Sequence, residues 1–170
     1  MNRTKRIVIS ALFIALSLSL YSIELLIPPF PFCPGAKIGL ANIVTLYMLA
    51  NNEFFRNRDA FCVLFVRCFL AAVLTGRLMS VLFSFTGGVA AFLAMIVLRR
   101  VLGSKYVVCM SITGSVFHNL AQIFVAILIY GTNSAFYLIP TLFVAGVLCG
   151  ILTGLCVKLI NRLKLHNRLM

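Results

Sequence analysis

Residues 3–27 read RTKRIVISALFIALSLSLYSIELLI: three cations, Arg3, Lys5 and Arg6, followed by a run in which Glu24 is the single charge. The 21 residues from 7 to 27, at about 1.5 Å of helical rise each, match a bilayer core about 30 Å thick. The stretch therefore reads as a membrane-crossing helix with its basic flank on one side. It is longer than a secretory signal core, and no small-residue cleavage site followed by a soluble chain appears, so it is expected to be retained.

Working outward, five more apolar runs follow at 38–50, 60–75, 78–98, 106–130 and 136–160. The N-terminus, the second and fourth loops and the C-terminus hold 12 of the 15 basic residues, the alternate loops hold only Lys37 and Arg77, and Arg67 lies inside a run. Basic segments at span ends resist translocation, so this bias places both termini in the cytoplasm. That requires an even number of crossings, which six satisfies. The expectation is an all-α bundle of six transmembrane helices in the cell membrane, forming one domain over residues 1–170.

Composition agrees: 62% of residues are hydrophobic and 11% charged, so the surface must face lipid. The runs are too continuously apolar for barrel strands, and they leave no room for a soluble catalytic domain. A net charge of +12 does not point to nucleic acid, because the cations sit in short clusters at span ends without interleaved aromatics. Their second role is contact with anionic lipid headgroups. Cys33, Cys62, Cys68, Cys109, Cys149 and Cys156 form no CxxC pair and read as small apolar filler.

The runs at 38–50 and 60–75 are short for a crossing. The first of them follows Pro28-Pro29-Phe30-Pro31-Phe32-Cys33-Pro34-Gly35, where prolines remove backbone donors. Short, proline-interrupted segments point to binding sites in transporters, and the loop is expected to act as a lid. Ala11, Ala15 and Ser19, continued by Ser22, set small side chains on one face of the first span, smooth enough for a partner helix. Gly146, Gly150 and Gly154 form a second close-packing face in the last.

With this orientation the polar residues gather in the outer half. Glu24 lies near the outer end of the first span, Lys37 and Asn42 bracket the start of the second, and Arg77 sits in the turn before the fourth. Arg67 is midway along the third, while His118, Asn119 and Gln122 occupy the middle to outer part of the fifth, with Ser111 and Ser115 on the same side as His118. A central arginine costs about 2.5–3.5 kcal/mol on the insertion scale, so Arg67 should turn inward toward an anion. Glu53 and Asp59 fall on the cytoplasmic side, leaving Glu24 as the one outer carboxylate. An outward-opening, positive pocket for a carboxylate or phosphate is the expectation.

Catalytic constellations are missing from this pattern. Paired carboxylates, a Ser/His/Asp set, an aspartate-rich magnesium site and a GxxxxGK[ST] loop are all absent. No second histidine or acid stands at metal-ligand spacing from His118. Neither an enzyme, a metal nor a cofactor is expected, and any energy for transport would come from a partner or an ion gradient.

Pro34-Gly35-Ala36-Lys37-Ile38-Gly39-Leu40-Ala41-Asn42-Ile43, Arg67, Phe83-Ser84-Phe85-Thr86-Gly87-Gly88 and His118-Asn119-Leu120-Ala121-Gln122, in that order, resemble the family called heptaprenyl diphosphate synthase component I, also labelled the Gx transporter family. The six-helix plan and the Ala11/Ala15 stripe also look like the substrate-capture (S) subunits of energy-coupling factor (ECF) transporters. The second resemblance implies ligand binding near the outer face and docking of the stripe onto a transmembrane coupling subunit driven by ATPases. The first implies a membrane partner of a soluble prenyl synthase. Aspartate-rich motifs are absent, so the chain would not be the catalytic half. An outward pocket fits capture of a small anionic molecule better, because isoprenoid condensation uses cytoplasmic diphosphates.

Overall fold

The computed structural model describes residues 3–26, 39–51, 54–76, 79–131 and 133–169. Among them the chain forms six α-helices and no strand: α1 (Arg3–Leu26), α2 (Asn42–Ala50), α3 (Asn57–Thr75), α4 (Met79–Leu102), α5 (Val107–Tyr130) and α6 (Ile139–Leu169). A short 3-10 helix, Asn133–Leu138, leads into α6. Four segments are long and apolar enough to cross a membrane: Arg3–Leu26, Val81–Leu102, Val107–Ile129 and Phe136–Leu163. Their outward faces carry large apolar side chains such as Leu26, Val101 and Leu128, as contact with acyl chains requires. α3 has 19 residues but carries Arg58, Asp59 and Arg67, and it is not among the four.

α2 departs from the expected crossing at 38–50. Its 9 helical residues rise only about 13 Å, less than half of a bilayer core. The helix starts late because Gly39 holds a left-handed φ of 75° and residues 40–41 form a turn, which positions Asn42 to open the first regular turn. Apart from Asn42 at its start and the Tyr47 hydroxyl, α2 is apolar or small on every side, and Val44, Thr45, Leu46, Met48 and Leu49 are all buried. A helix apolar all round belongs inside protein.

α2 is accordingly the hub. It touches the other five helices, which stand round it in the order α1, α3, α4, α5, α6; among the described residues α1 packs on α2 and α3 and does not meet α6. Because the hub is short, it fills only one half of the bundle's interior. The other half, beyond Asn42, is where a cavity is left.

The tightest pair is α5 on α6, and the glycine face expected from sequence is what permits it. A Cβ at Gly146, Gly150 or Gly154 would fall 3.3, 2.5 or 2.8 Å from the Cα of Val116, Ile112 or Val108, so the two backbones touch at successive turns. Ser111 and Thr153 share a hydrogen bond of 2.7 Å across this seam.

At the end where the helices carry their basic residues, polar groups close the bundle. Arg99 donates to the Leu49 carbonyl (3.0 Å) and to Asn57 Oδ1 (2.8 Å), and Asn51 Nδ2 donates to the Tyr47 carbonyl (2.9 Å) and Asn161 Oδ1 (3.0 Å). Arg99 thereby serves a carbonyl in the last turn of α2, where helical donors run out, while the Tyr47 carbonyl accepts the Asn51 backbone N–H (3.1 Å) as well as its side chain. Phe13, Tyr47 and Phe55 pack ring to ring beneath α1, and Arg6 of α1 grips both oxygens of Asp59 at 2.5 and 2.6 Å.

Burial alone would raise the Asp59 pKa, but hydrogen bonds from Arg6 and the Arg56 backbone, with the charges of Arg6 and Arg56, outweigh it and hold the carboxyl below its usual range. A depressed folded pKa contributes stability that is complete above the unfolded value of about 3.9 and is lost as pH falls through the folded one. The protection factors of amides at the basic end of α1, exchange rates divided into their unfolded-chain values at each pH, should therefore be steady from about pH 8 to 5 and fall only in stronger acid. Asp59→Asn should lower them at neutral pH, at a cost of about 1 kcal/mol.

Candidate functional site

The cavity sits against the N-terminal end of α2. Tyr21 and Glu24 of α1 line one wall; Arg67, Cys68 and Ala71 of α3 line the next; Ser84 of α4 with His118 and Gln122 of α5 complete the ring, and Gly39, Ala41 and Asn42 form the side toward α2. Its free volume is about 40 Å³, room for roughly three water molecules at about 10–15 Å³ each. A small oxyanion is of that size. A larger molecule has to widen the cavity or leave part of itself outside.

Arg67 is the most deeply buried charge among the described residues, 5% exposed. Its partners among the described residues are neutral: Asn42 Oδ1 at 3.2 Å, Ser17 Oγ at 3.5 Å and Cys68 Sγ at 3.9 Å. A guanidinium has five N–H donors, so two oxygens at long range and one sulfur leave most of its capacity without a partner among the described residues. Glu24 lines the same cavity, but its Oε1 accepts the Gly39 N–H at 2.6 Å, and no described carboxylate forms an ion pair with Arg67. Ser17, which also donates to the Ala41 carbonyl, holds the guanidinium from the α1 side.

His118 and Gln122 stand one helical turn apart, with His118 Nε2 and Gln122 Nε2 separated by 3.1 Å. With the amide nitrogen as donor, the ring accepts at Nε2 and carries its proton on Nδ1. The imidazole can sit here because residue 87 has no side chain: a Cβ on Gly87 would lie 2.9 Å from ring atoms Cε1 and Nδ1. Gly87→Ala should displace the imidazole and change its NMR shifts while leaving the melting temperature within about 2 °C, since a side-chain end yields more readily than a backbone.

Five of the eight expected site residues thus share one cavity: Glu24, Asn42, Arg67, His118 and Gln122. Lys37 and Arg77 lie outside the described residues, as do Glu53, Cys33 and the Pro28–Gly35 stretch expected as a lid. Asn119 does not line the cavity. One residue on from His118, it turns about 100° round the helix and donates Nδ2 to the Leu142 carbonyl of α6 at 2.9 Å, clasping α5 to α6. Ser111 and Ser115 line a second, smaller cavity of about 10 Å³ with Thr153 and Asn42. Asn42 separates the two.

Tyr21 and Ser17 were not expected. Both sit on the α1 face that carries Glu24, at spacings of three and four residues, so stepping back from Glu24 by helical periodicity finds them. Ala11, Ala15, Ser19 and Ser22 occupy the opposite face of α1 and are exposed. No curated protein and no solved structure matches the chain. The heptaprenyl diphosphate synthase component I profile matches residues 13–160, from within α1 to within α6, and the chain belongs to that family.

Proposed function

We propose that the protein is a non-catalytic membrane subunit that captures an anionic small molecule, in the manner of an ECF-type S subunit. It lies in the cell membrane as a six-helix bundle in which α2 is a half-length helix enclosed by the others, with both termini cytoplasmic and the cavity toward the outer face. The observation that carries this reading is Arg67: a guanidinium buried in a bundle clad in apolar side chains, facing a cavity, with only neutral described partners. An anion between Arg67, Asn42, His118 and Gln122 would complete it, with Glu24 on the wall and Lys37 and Arg77 as further cations near the mouth. The lid role of the proline-rich loop, and ligand contact by Asn119, belong to the same proposal. The orientation is supported by the 12-to-2 distribution of loop cations.

The exposed stripe Ala11, Ala15, Ser19 is the surface for the transmembrane coupling subunit and its ATPases. A second reading is favoured by the family description: a membrane partner of a heptaprenyl diphosphate synthase, assisting a soluble catalytic subunit. Purification from the native membrane, with native mass spectrometry of retained molecules and partners, separates the two. Capture predicts a bound anion and an associated ATPase complex that Ala15→Trp releases. A soluble prenyl synthase retained equally by Ala15→Trp, with no small anion, supports the second reading and removes the first.

A further inference from the structure

The α5–α6 glycine contacts fix an antiparallel register in which Gly146, Gly150 and Gly154 lie against Val116, Ile112 and Val108. Followed past Val108 to the start of α5 at Val107, that register brings Lys158 to the side of the turn that carries Lys105, and Arg162 follows one turn further along α6. Arg100, in the last turn of α4, precedes the short turn that leads to Lys105. All four side chains are exposed, whereas neighbouring Arg99 is turned inward onto Leu49 and Asn57. Residues 60–170 contain no aspartate or glutamate, so no carboxylate of α4, α5 or α6 can neutralise this group.

Exposed apolar side chains border the cations within about a turn: Val101 and Leu102 beside Arg100, Tyr106 beside Lys105, and Leu155 and Leu159 beside Lys158. Cations at the rim of an apolar belt stand at headgroup depth, and basic pockets between helices there suit lipid phosphates. An acidic protein would instead meet a charged surface beyond the belt. We infer that Arg100, Lys105, Lys158 and Arg162 form a binding site for the headgroup of an anionic phospholipid. The exposed cations of α1 and α3, by contrast, stand near a carboxylate, Asp59, which Arg6 holds in place.

The test uses the full chain in detergent with added phosphatidylglycerol or phosphatidylcholine, read by thermal shift. Phosphatidylglycerol is expected to raise the melting temperature and phosphatidylcholine to leave it unmoved. The triple variant K105Q/K158Q/R162Q should weaken phosphatidylglycerol binding about tenfold or more, and R3Q/K5Q/R58Q, with the same charge loss, by no more than about twofold. Equal effects of the two lipids, or equal losses in the two triples, overturn the site in favour of a diffuse field. Should K105Q/K158Q/R162Q fail to fold, raising salt from about 0.1 to about 0.5 M must weaken binding to the native chain, and indifference to salt overturns the proposal. So does amine labelling in native membranes if an acidic protein, rather than lipid, shields Lys105 and Lys158.

Discussion

Gly150→Ala is expected to melt roughly 5 °C or more below the native protein, although it adds a single methyl group. The new Cβ would meet backbone on all sides: Ile112 Cα at 2.5 Å, Ile112 N at 3.0 Å and the Ser111 carbonyl at 3.1 Å. Carbon atoms are comfortable at about 3.5–4.0 Å, and a main chain cannot rotate away as a side chain can. The helices must part by about 1 Å, loosening the neighbouring Ser111–Thr153 bond. Alanine's better helix propensity, worth about 1 kcal/mol, opposes this, but overpacking costs about 1–3 kcal/mol, and with main chain as the obstacle the upper end applies. Gly88→Ala is the matched control, because its Cβ would meet only the Leu64 side chain, at 3.4 Å and beyond. There propensity should win, and the protein should melt at or above the native temperature. If the two variants melt together, the α5–α6 seam is not as close as described.

What could be read from sequence followed from periodicity and solvent. Long apolar runs located α1, α4, α5 and α6, since a span of membrane length has few alternatives. Spacing by four placed Gly146, Gly150 and Gly154 on a packing face, and spacing by four placed His118 and Gln122 on one cavity wall. The short α2 was not legible, because an apolar run reads alike whether lipid or protein surrounds it; only the turn at Gly39 and the five neighbouring helices distinguish a hub from a crossing. That Asn119 does not line the cavity was not legible for a related reason. Its sequence neighbours His118 and Gln122 share the pocket, yet a single residue's rotation hands its amide to Leu142 on α6. Ser17 was hidden by its resemblance to Ser19 and Ser22, from which only the partners of each face separate it.

Arg67→Met should leave the unliganded protein at least as stable as before while anion binding falls by about 30-fold or more. These opposite effects distinguish a receptor group from a structural one. A buried cation with well-matched acidic partners is a loss when truncated, because it strands the opposing charge. Among the described residues truncation strands Asn42 and Ser17, neutral groups at 3.2 and 3.5 Å, and Ser17 keeps its bond to the Ala41 carbonyl. An unbranched apolar side chain of similar length fills much of the vacated space without the desolvation of a guanidinium. An anion bound against Arg67 would lose its principal donor, and removing one member of a buried charge pair costs about 2–5 kcal/mol, the source of the 30-fold figure at the lower bound. Arg67→Lys should recover part of the affinity, since an ammonium keeps the charge but not the planar fork. Titration with inorganic phosphate and with any molecule recovered from the native protein, beside thermal melts without ligand, reads both quantities. A methionine variant that unfolds while Arg67→Lys binds anions no better than buffer would make Arg67 a strut of the bundle, and the cavity beside it would no longer be an anion site.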